Sequence, residues 1–249
     1  MLAEQIARIR ADNARLLQRL EATERRFRAI SRGVLRAQEA ERSRISRDLH
    51  DGVGQSLTAL KMQLDLLARD ADTSASPLAP RLAALRDVAN AALQEIRQIS
   101  HTIRPQILDN LGLVPTLRWV VRTFEERNGV KASLACSELQ NGRDPDVETL
   151  LYRITQESLT NVTKHARASR VLVELREEPG TIRLRVEDDG AGFDVRAVEA
   201  REHDIGFGLQ SMRDRVQLFG GRFAVRSAPG SGTTVEVTVP ADAAREVAP

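Results

Sequence analysis

The chain has 249 residues, with 37 Lys and Arg against 35 Asp and Glu for a formal charge of +2, a length that accommodates one or two domains with cores of their own. Hydrophobic residues make up 41% and aromatics only 3%, which excludes a Tyr- and Trp-rich recognition surface and favours helices packed through Leu, Val, Ile and Ala. The single cysteine, Cys136, excludes an internal disulfide framework, and no run approaches the roughly 20 apolar residues of a membrane span, so a cytoplasmic location is expected.

Residues 1–50 hold 12 Arg and 7 acidic residues. Glu is interspersed and aromatics are scarce there, so the basic excess reads as a solvated helix face, and direct nucleic-acid binding is not expected. Over 1–38 the apolar seam runs Ile6, Ile9, Asn13, Leu16, Leu20, Thr23, Phe27, Ile30, Val34, Ala37, the 3-4 spacing of a coiled coil. Asn13 falls where a buried polar residue fixes register in parallel two-stranded coils, which predicts a homodimer.

Past residue 37 the seam changes phase. Ile45, Leu49, Val53 and Leu57 are spaced by fours before Leu60, Leu64 and Leu67 restore heptads, an insertion in phase that locally unwinds a coil. A break containing Ser74, Ser76, Pro77 and Pro80 follows. A second heptad run then goes from Leu82 through Leu85, Ala89, Ala92, Ile96 and Ile99 to Ile103, ended by Arg104-Pro105. The span 39–106 therefore predicts a helical hairpin, and two copies a four-helix bundle. Within "RISRDLHDGVGQSLTAL" (44–60), Gly54 follows His50 by four residues, where an α-helix would lean a larger side chain over the imidazole. Asp51 and Gln55, also four apart, predict a neighbouring polar stripe.

From 107 to 241 the texture becomes α+β, with residues 242–249 as a tail. "GVKASLAC", "RVLVELRE", "TIRLRVED" and "RFAVRSAPGSGTTVEVTVP" alternate as strands do. Helices are expected at 112–127, at 146–167 with Asp144 as cap and Pro145 in the first turn, and at 207–219 before Gly220-Gly221. On the second of these, Glu157, Asn161, Lys164 and His165 share one polar face. Asp188-Asp189-Gly190-Ala191-Gly192-Phe193 follows a strand, and Gly206-Phe207-Gly208-Leu209 opens a helix whose free N–H groups suit phosphate.

"ESLTNVTK", the Asp188–Gly192 run, Gly206–Leu209 and "PGSGTTVEV" stand in the order of the N, G1, G2 and final glycine boxes of the ATP-binding fold that histidine kinases share with gyrase-type ATPases and Hsp90. "ERSRISRDLHDGVGQSLTAL" resembles the phosphoacceptor helix of bacterial sensor histidine kinases of the NarX/DesK-like subfamily, and "IRQISHTIRPQILDNLGLVPTL" is similar to that subfamily's connector. The resemblance implies a multi-domain protein: an N-terminal coiled coil, a helical-hairpin dimerisation and phosphotransfer domain, and a C-terminal α/β sandwich ATP-binding domain. It makes His50 the phosphorylated nucleophile with Asp51 as base, and Gln55 the residue that positions water for dephosphorylating a response regulator. It assigns Mg²⁺ to Asn161 with support from Glu157, and places Lys164 and His165 near the phosphates. Asp188 would accept from the adenine amino group. Gly190 and Gly192 would shape the pocket, Gly206, Gly208 and Leu209 the base of a short lid over the phosphates, and Thr233 or Thr234 would flank the adenine. The cofactors implied are ATP and Mg²⁺. The partners implied are a second copy of the chain and a response regulator with helix-turn-helix output, with membrane attachment only through a region upstream of Met1.

Two alternatives follow from the same residues. One is mainly a response-regulator phosphatase or sequestering partner, and the other an ATP-driven conformational protein of the gyrase/Hsp90 type. His101 and His203 are read as surface or packing residues. No Cys/His cluster has zinc spacing.

Overall fold

A computed structural model describes residues 2–73, 78–103, 105–137, 144–199 and 207–241. The chain forms two compact units, Met1–Glu39 and Ala40–Pro249.

The first unit is one stretch of helix, the N-terminal part of α1 (Leu2–Asp48). Its seam residues Ile9, Leu16, Leu20, Phe27, Ile30 and Val34 are 59–66% exposed. An apolar stripe at heptad spacing gains stability only when a second helix covers it.

The second unit begins in the last turns of α1. The backbone then winds as a π-helix over Leu49–Gly54 and returns to α-helix in α2 (Gln55–Thr73). An α-helix throughout was the sequence expectation. The Ser56 and Thr58 hydroxyls donate back to the carbonyls of Gly52 (2.9 Å) and Gly54 (2.8 Å). Helix α3 (Ala79–Ile103) packs against α2 and the π-turn, completing the hairpin. It stops before Pro105, whose ring denies the next helical N–H.

A short helix α4 (Gln106–Leu111), absent from the sequence expectation, leads to α5 (Leu113–Asn128). Strand β1 (Lys131–Cys136) and helix α6 (Pro145–Asn161) follow. Pro145 sits in the first turn of α6, and the Asp144 carboxylate accepts from the Asp146 N–H at 2.9 Å, satisfying one of the donors a helix start leaves unpaired. A second π-helical segment, Val162–Ala166, extends α6. Then come β2 (Arg170–Glu178), β3 (Thr181–Asp188), the short α7 (Val195–Glu199), α8 (Phe207–Leu218), β4 (Arg222–Ser227) and β5 (Thr233–Pro240). The strands form one sheet in the order β1-β2-β3-β5-β4, with β1 parallel to β2 and every other pair antiparallel.

The sheet has one buried and one charged face, as period-two alternation requires. Val171, Val173 and Leu175 on β2, Ile182, Leu184 and Val186 on β3, and Val235, Val237 and Val239 on β5 are buried. The opposite face carries cross-strand ion pairs such as Arg185–Glu174 (3.1 Å) and Arg226–Glu236 (2.7 Å). Leu117, Val121 and Phe124 of α5, Leu151 and Ile154 of α6, and Met212 and Val216 of α8 are buried as well. The C-terminal part is thus a two-layer α/β sandwich.

Candidate functional site

The buried stripe of β3 does not end on an apolar residue. Ile182, Leu184 and Val186 are followed on the same face by Asp188, only 8% exposed, and its partner in the β5 register is Thr233. Burial pushes the Asp188 carboxyl above its ordinary range, an effect partly offset by the N–H groups of Gly190 and Thr233. The Gly190 N–H donates to Asp188 Oδ1 at 2.9 Å. A buried carboxylate with spare acceptor capacity is suited to an amino donor on a ligand.

A cavity of about 410 Å³ opens beside it. Glu157, Ser158, Asn161, Lys164 and His165 form one wall, Val186, Asp188, Thr233 and Val235 another, and Gly192, Phe193, Gly208 and Leu209 line the rest. Nine of the residues singled out in the sequence are therefore brought together. Thr234 is not among them. It pairs with Glu187 and Arg226, and the alternation of β5 turns it to the charged face, so Thr233 is the threonine of the cavity.

The glycines act by close backbone approach. A Cβ at Gly190 would lie 2.4 Å from the Ala166 carbonyl oxygen, and one at Gly208 would lie 2.7 Å from Glu157 Oε1. Gly192 (φ +59°) and Gly232 (φ +68°) are left-handed and similarly crowded, by the Ala228 and Asp188 carbonyls. These contacts let Ala191 N–H reach Ala166 O (2.7 Å), Gly232 N–H reach Gly190 O (2.9 Å) and Gly230 N–H reach Ala191 O (2.6 Å). The Asp188–Gly192 loop is thereby stitched to the end of the π-segment carrying Lys164 and His165 and to the 228–232 turn. Gly190 shapes the cavity without lining it.

Sequence reasoning missed three contributors. Ser227 Oγ accepts from the Phe193 N–H (2.9 Å) and donates to the Gly232 carbonyl (2.8 Å), joining both sides of the loop pair, and no periodicity marks it. Asp189 accepts from the N–H groups of Ser169 and Arg170 (2.8 Å each) and from the Ser169 hydroxyl (2.7 Å). Those bonds, the Ser169 hydroxyl foremost, lower its carboxyl to about 2, so Asp189 fixes the loop while Asp188 serves the cavity. Ser158 is 3% exposed, and its Oγ finds no partner among the described residues. Its position three residues before Asn161 on the same helix was the available signal.

The second site is at the π-turn. His50 is exposed and lines a groove of about 320 Å³ with Gly54 and Gln55, continued by the apolar Met62, Leu93 and Ile96. A Cβ at Gly54 would meet only the Leu49 carbonyl, at 3.6 Å, and Gly54 lines the same groove as His50. Gln55 shares the groove with His50, and Asp51 does not line it. Gly206 and His203 lie outside the described residues, as do the side chain of His101 and residues 200–205 of the lid.

The cavity fits a nucleotide on its own chemistry: it gathers a buried acceptor, a hydroxyl unpartnered among the described residues, apolar side chains, a cation, an imidazole and a carboxylate–amide pair. Among the described residues no group of three or more His, Cys, Asp or Glu could hold a metal ion. Mg²⁺ bound through nucleotide phosphates needs only one or two protein oxygens, such as those of Asn161 and Glu157. Among the described residues no helix is long and apolar enough to cross a membrane.

Comparison with known proteins agrees with this geometry. Residues 41–108 match the family described as histidine kinase, and residues 146–243 match the histidine kinase-, DNA gyrase B- and HSP90-like ATPase family. The chain is 35% identical over 222 residues to the sensor histidine kinase MctS of Rhizobium johnstonii, covering 89% of this chain and 48% of that protein. It is 34% identical over 210 residues to the signal transduction histidine-protein kinase/phosphatase DegS of Brevibacillus brevis, and 36% identical over 211 residues to DegS of Bacillus subtilis. These two matches cover 83% of this chain and 53% and 54% of those proteins. The chain thus spans about half the length of the curated relatives it matches. On these matches the chain belongs to the sensor histidine kinases of the NarX/DesK-like group, with a gyrase/Hsp90-type ATPase domain in its C-terminal half.

Proposed function

We propose that the protein is an ATP-dependent histidine kinase that phosphorylates itself on His50 and passes the phosphoryl group to an aspartate of a response regulator. The observation that carries this reading is the pairing, in one chain, of the Asp188 cavity with an exposed histidine on a helical hairpin. His50 attacks as neutral imidazole, its unprotonated nitrogen forming a bond to the γ-phosphorus while the bond from that phosphorus to the β–γ bridging oxygen breaks and ADP leaves. Asp51 receives the proton from the other ring nitrogen. Asp188 accepts from the adenine amino group, with Thr233 beside it, while Lys164 and His165 face the phosphates. Asn161, supported by Glu157, would hold Mg²⁺, which would supply positive charge beside the phosphates. The exposed seam of α1 pairs with a second copy of the chain, and the response regulator has a helix-turn-helix output.

With γ-labelled ATP, the wild type takes up label and His50→Gln takes up none while still binding nucleotide; label persisting on His50→Gln would sink the assignment. A second activity, dephosphorylation of the regulator, is favoured by Gln55, which is exposed and shares the groove with His50. From there it can hold a water near a phosphorylated partner residue.

A further inference from the structure

The last turn of α3 ties down two other helices. From α1, Ser46 Oγ donates to the Ser100 carbonyl at 3.1 Å, and Ser100 Oγ donates to the Ser46 carbonyl at 3.0 Å. The two hydroxyls lie 2.8 Å apart, and the residues are 1% and 5% exposed. From α6, Arg153 Nη2 donates to the Ile103 carbonyl at 2.7 Å. Helix α3 ends there, so its final carbonyls lack partners within the helix and carry the negative end of its dipole, a suitable seat for a guanidinium. Arg153 is 6% exposed. Its Nη1 bonds Gln156 Oε1 at 2.7 Å, and its guanidinium carbon lies 5.3 Å from the Tyr152 ring centroid. Both arms of the planar fork are therefore held.

The spacing on the two helices is the same. Ser46 precedes His50 by four residues, and Arg153 precedes Glu157 by four, about one helical turn in each case. One helix end thus grips the phosphoacceptor helix and the nucleotide helix, each a turn upstream of its functional residue. A third polar tie, Ser43 Oγ to Asp109 Oδ2 at 3.2 Å, joins α1 to α4 nearby. Stability alone does not account for a buried guanidinium, since apolar side chains of similar volume commonly serve as well or better. A planar donor that fixes the distance and angle between two helices does account for it.

We propose that Arg153 is a positioning residue for phosphoryl transfer: through the carbonyl end of α3 it sets the nucleotide-binding helix in register with the hairpin that bears His50. The inference rests on the kinase reading above. It predicts that the rate of transfer, and not nucleotide affinity, depends on this contact.

The test uses the full chain as wild type, Arg153→Met and Arg153→Lys. Methionine fills the space of the stem without donating, and lysine can reach the Ile103 carbonyl but not bond Gln156 at the same time. Autophosphorylation is followed over a range of ATP concentrations alongside equilibrium ATP binding. The expected result is ATP dissociation and half-saturation constants within about twofold of wild type, a rate at saturating ATP at least tenfold lower in Arg153→Met, and an intermediate rate in Arg153→Lys. A saturating rate that is unchanged or raised overturns the proposal, as does a loss carried wholly by half-saturation. Should Arg153→Met fail to fold, the lysine variant decides on the same criteria. A wild type that takes up no phosphate removes the kinase reading itself, whereas a phosphorylating wild type matched by Arg153→Met removes this proposal alone.

Discussion

Gly190→Ala isolates the close backbone approach on which the nucleotide cavity depends. The added methyl would stand 2.4 Å from the Ala166 carbonyl oxygen and 2.7 Å from Ala166 Cβ, and real Cβ contacts do not fall below 3.0 Å. The loop must therefore retreat by at least about 0.6 Å. The Ala166 carbonyl is also the acceptor for the Ala191 N–H at 2.7 Å, so the retreat stretches a bond as it relieves a clash. Overpacking against a rigid neighbour costs about 1–3 kcal/mol, and weakening the hydrogen bond adds about 0.5–1.5 kcal/mol. A total of about 1.5–4.5 kcal/mol corresponds to a melting point lower by roughly 3–18 °C for a unit of this size. The same retreat separates Asp188 from the segment bearing Lys164 and His165, so ATP affinity falls with stability. Thermal unfolding and equilibrium ATP binding measure both, with Gly52→Ala as control, because a Cβ there meets nothing within 4 Å. A Gly190→Ala protein that melts within 2 °C of wild type (roughly 0.5–1 kcal/mol) and binds ATP as tightly would refute the reasoning.

Further outcomes are expected at neighbouring residues. Asp188→Asn should weaken ATP binding by about tenfold or more, since a charged hydrogen bond to the ligand is worth about 1.5–3 kcal/mol; titration calorimetry showing unchanged affinity would remove Asp188 from adenine recognition. Asp189 has its folded carboxyl lowered to about 2 from 3.8. The stability it contributes is therefore complete above about pH 4 and lost as the pH falls through about 2, so Asp189→Asn should show a flatter stability profile across that window. Parallel acid-denaturation curves for the two proteins would contradict this. Gln55→Ala should slow dephosphorylation of the response regulator while leaving autophosphorylation within about twofold, and an equal loss of both rates would show that Gln55 serves the turn rather than the water.

The sheet and its site were legible because period-two alternation and glycine spacing are local signals. Asp188 could be placed on the inner face by counting back along Val186, Leu184 and Ile182, and Thr233 is its register partner. The same count along β5 would have rejected Thr234. The π-helical segments at Leu49–Gly54 and Val162–Ala166 were not legible, because a one-residue change in hydrogen-bond partner leaves the apolar pattern nearly intact. Of the two glycines in the first, Gly54 reads from the sequence as clearance for His50 and not as the mark of a π-turn. Ser227 and Arg153 escaped for a different reason: their partners at Phe193, Gly232 and Ile103 lie far along the chain or across a turn, and no spacing encodes a contact of that kind.

The central claim is that His50 takes the γ-phosphoryl group of ATP. Incubating the purified chain with ATP and Mg²⁺ and then mapping modified peptides by mass spectrometry under alkaline conditions, which preserve phosphohistidine, tests it most directly. The account predicts one phosphorylated residue, His50, with label lost on brief acid treatment and absent from Asp188→Asn at ATP concentrations that saturate the wild type only. Acid-stable label on a serine or threonine, or steady ATP hydrolysis with an unmodified His50, would contradict it.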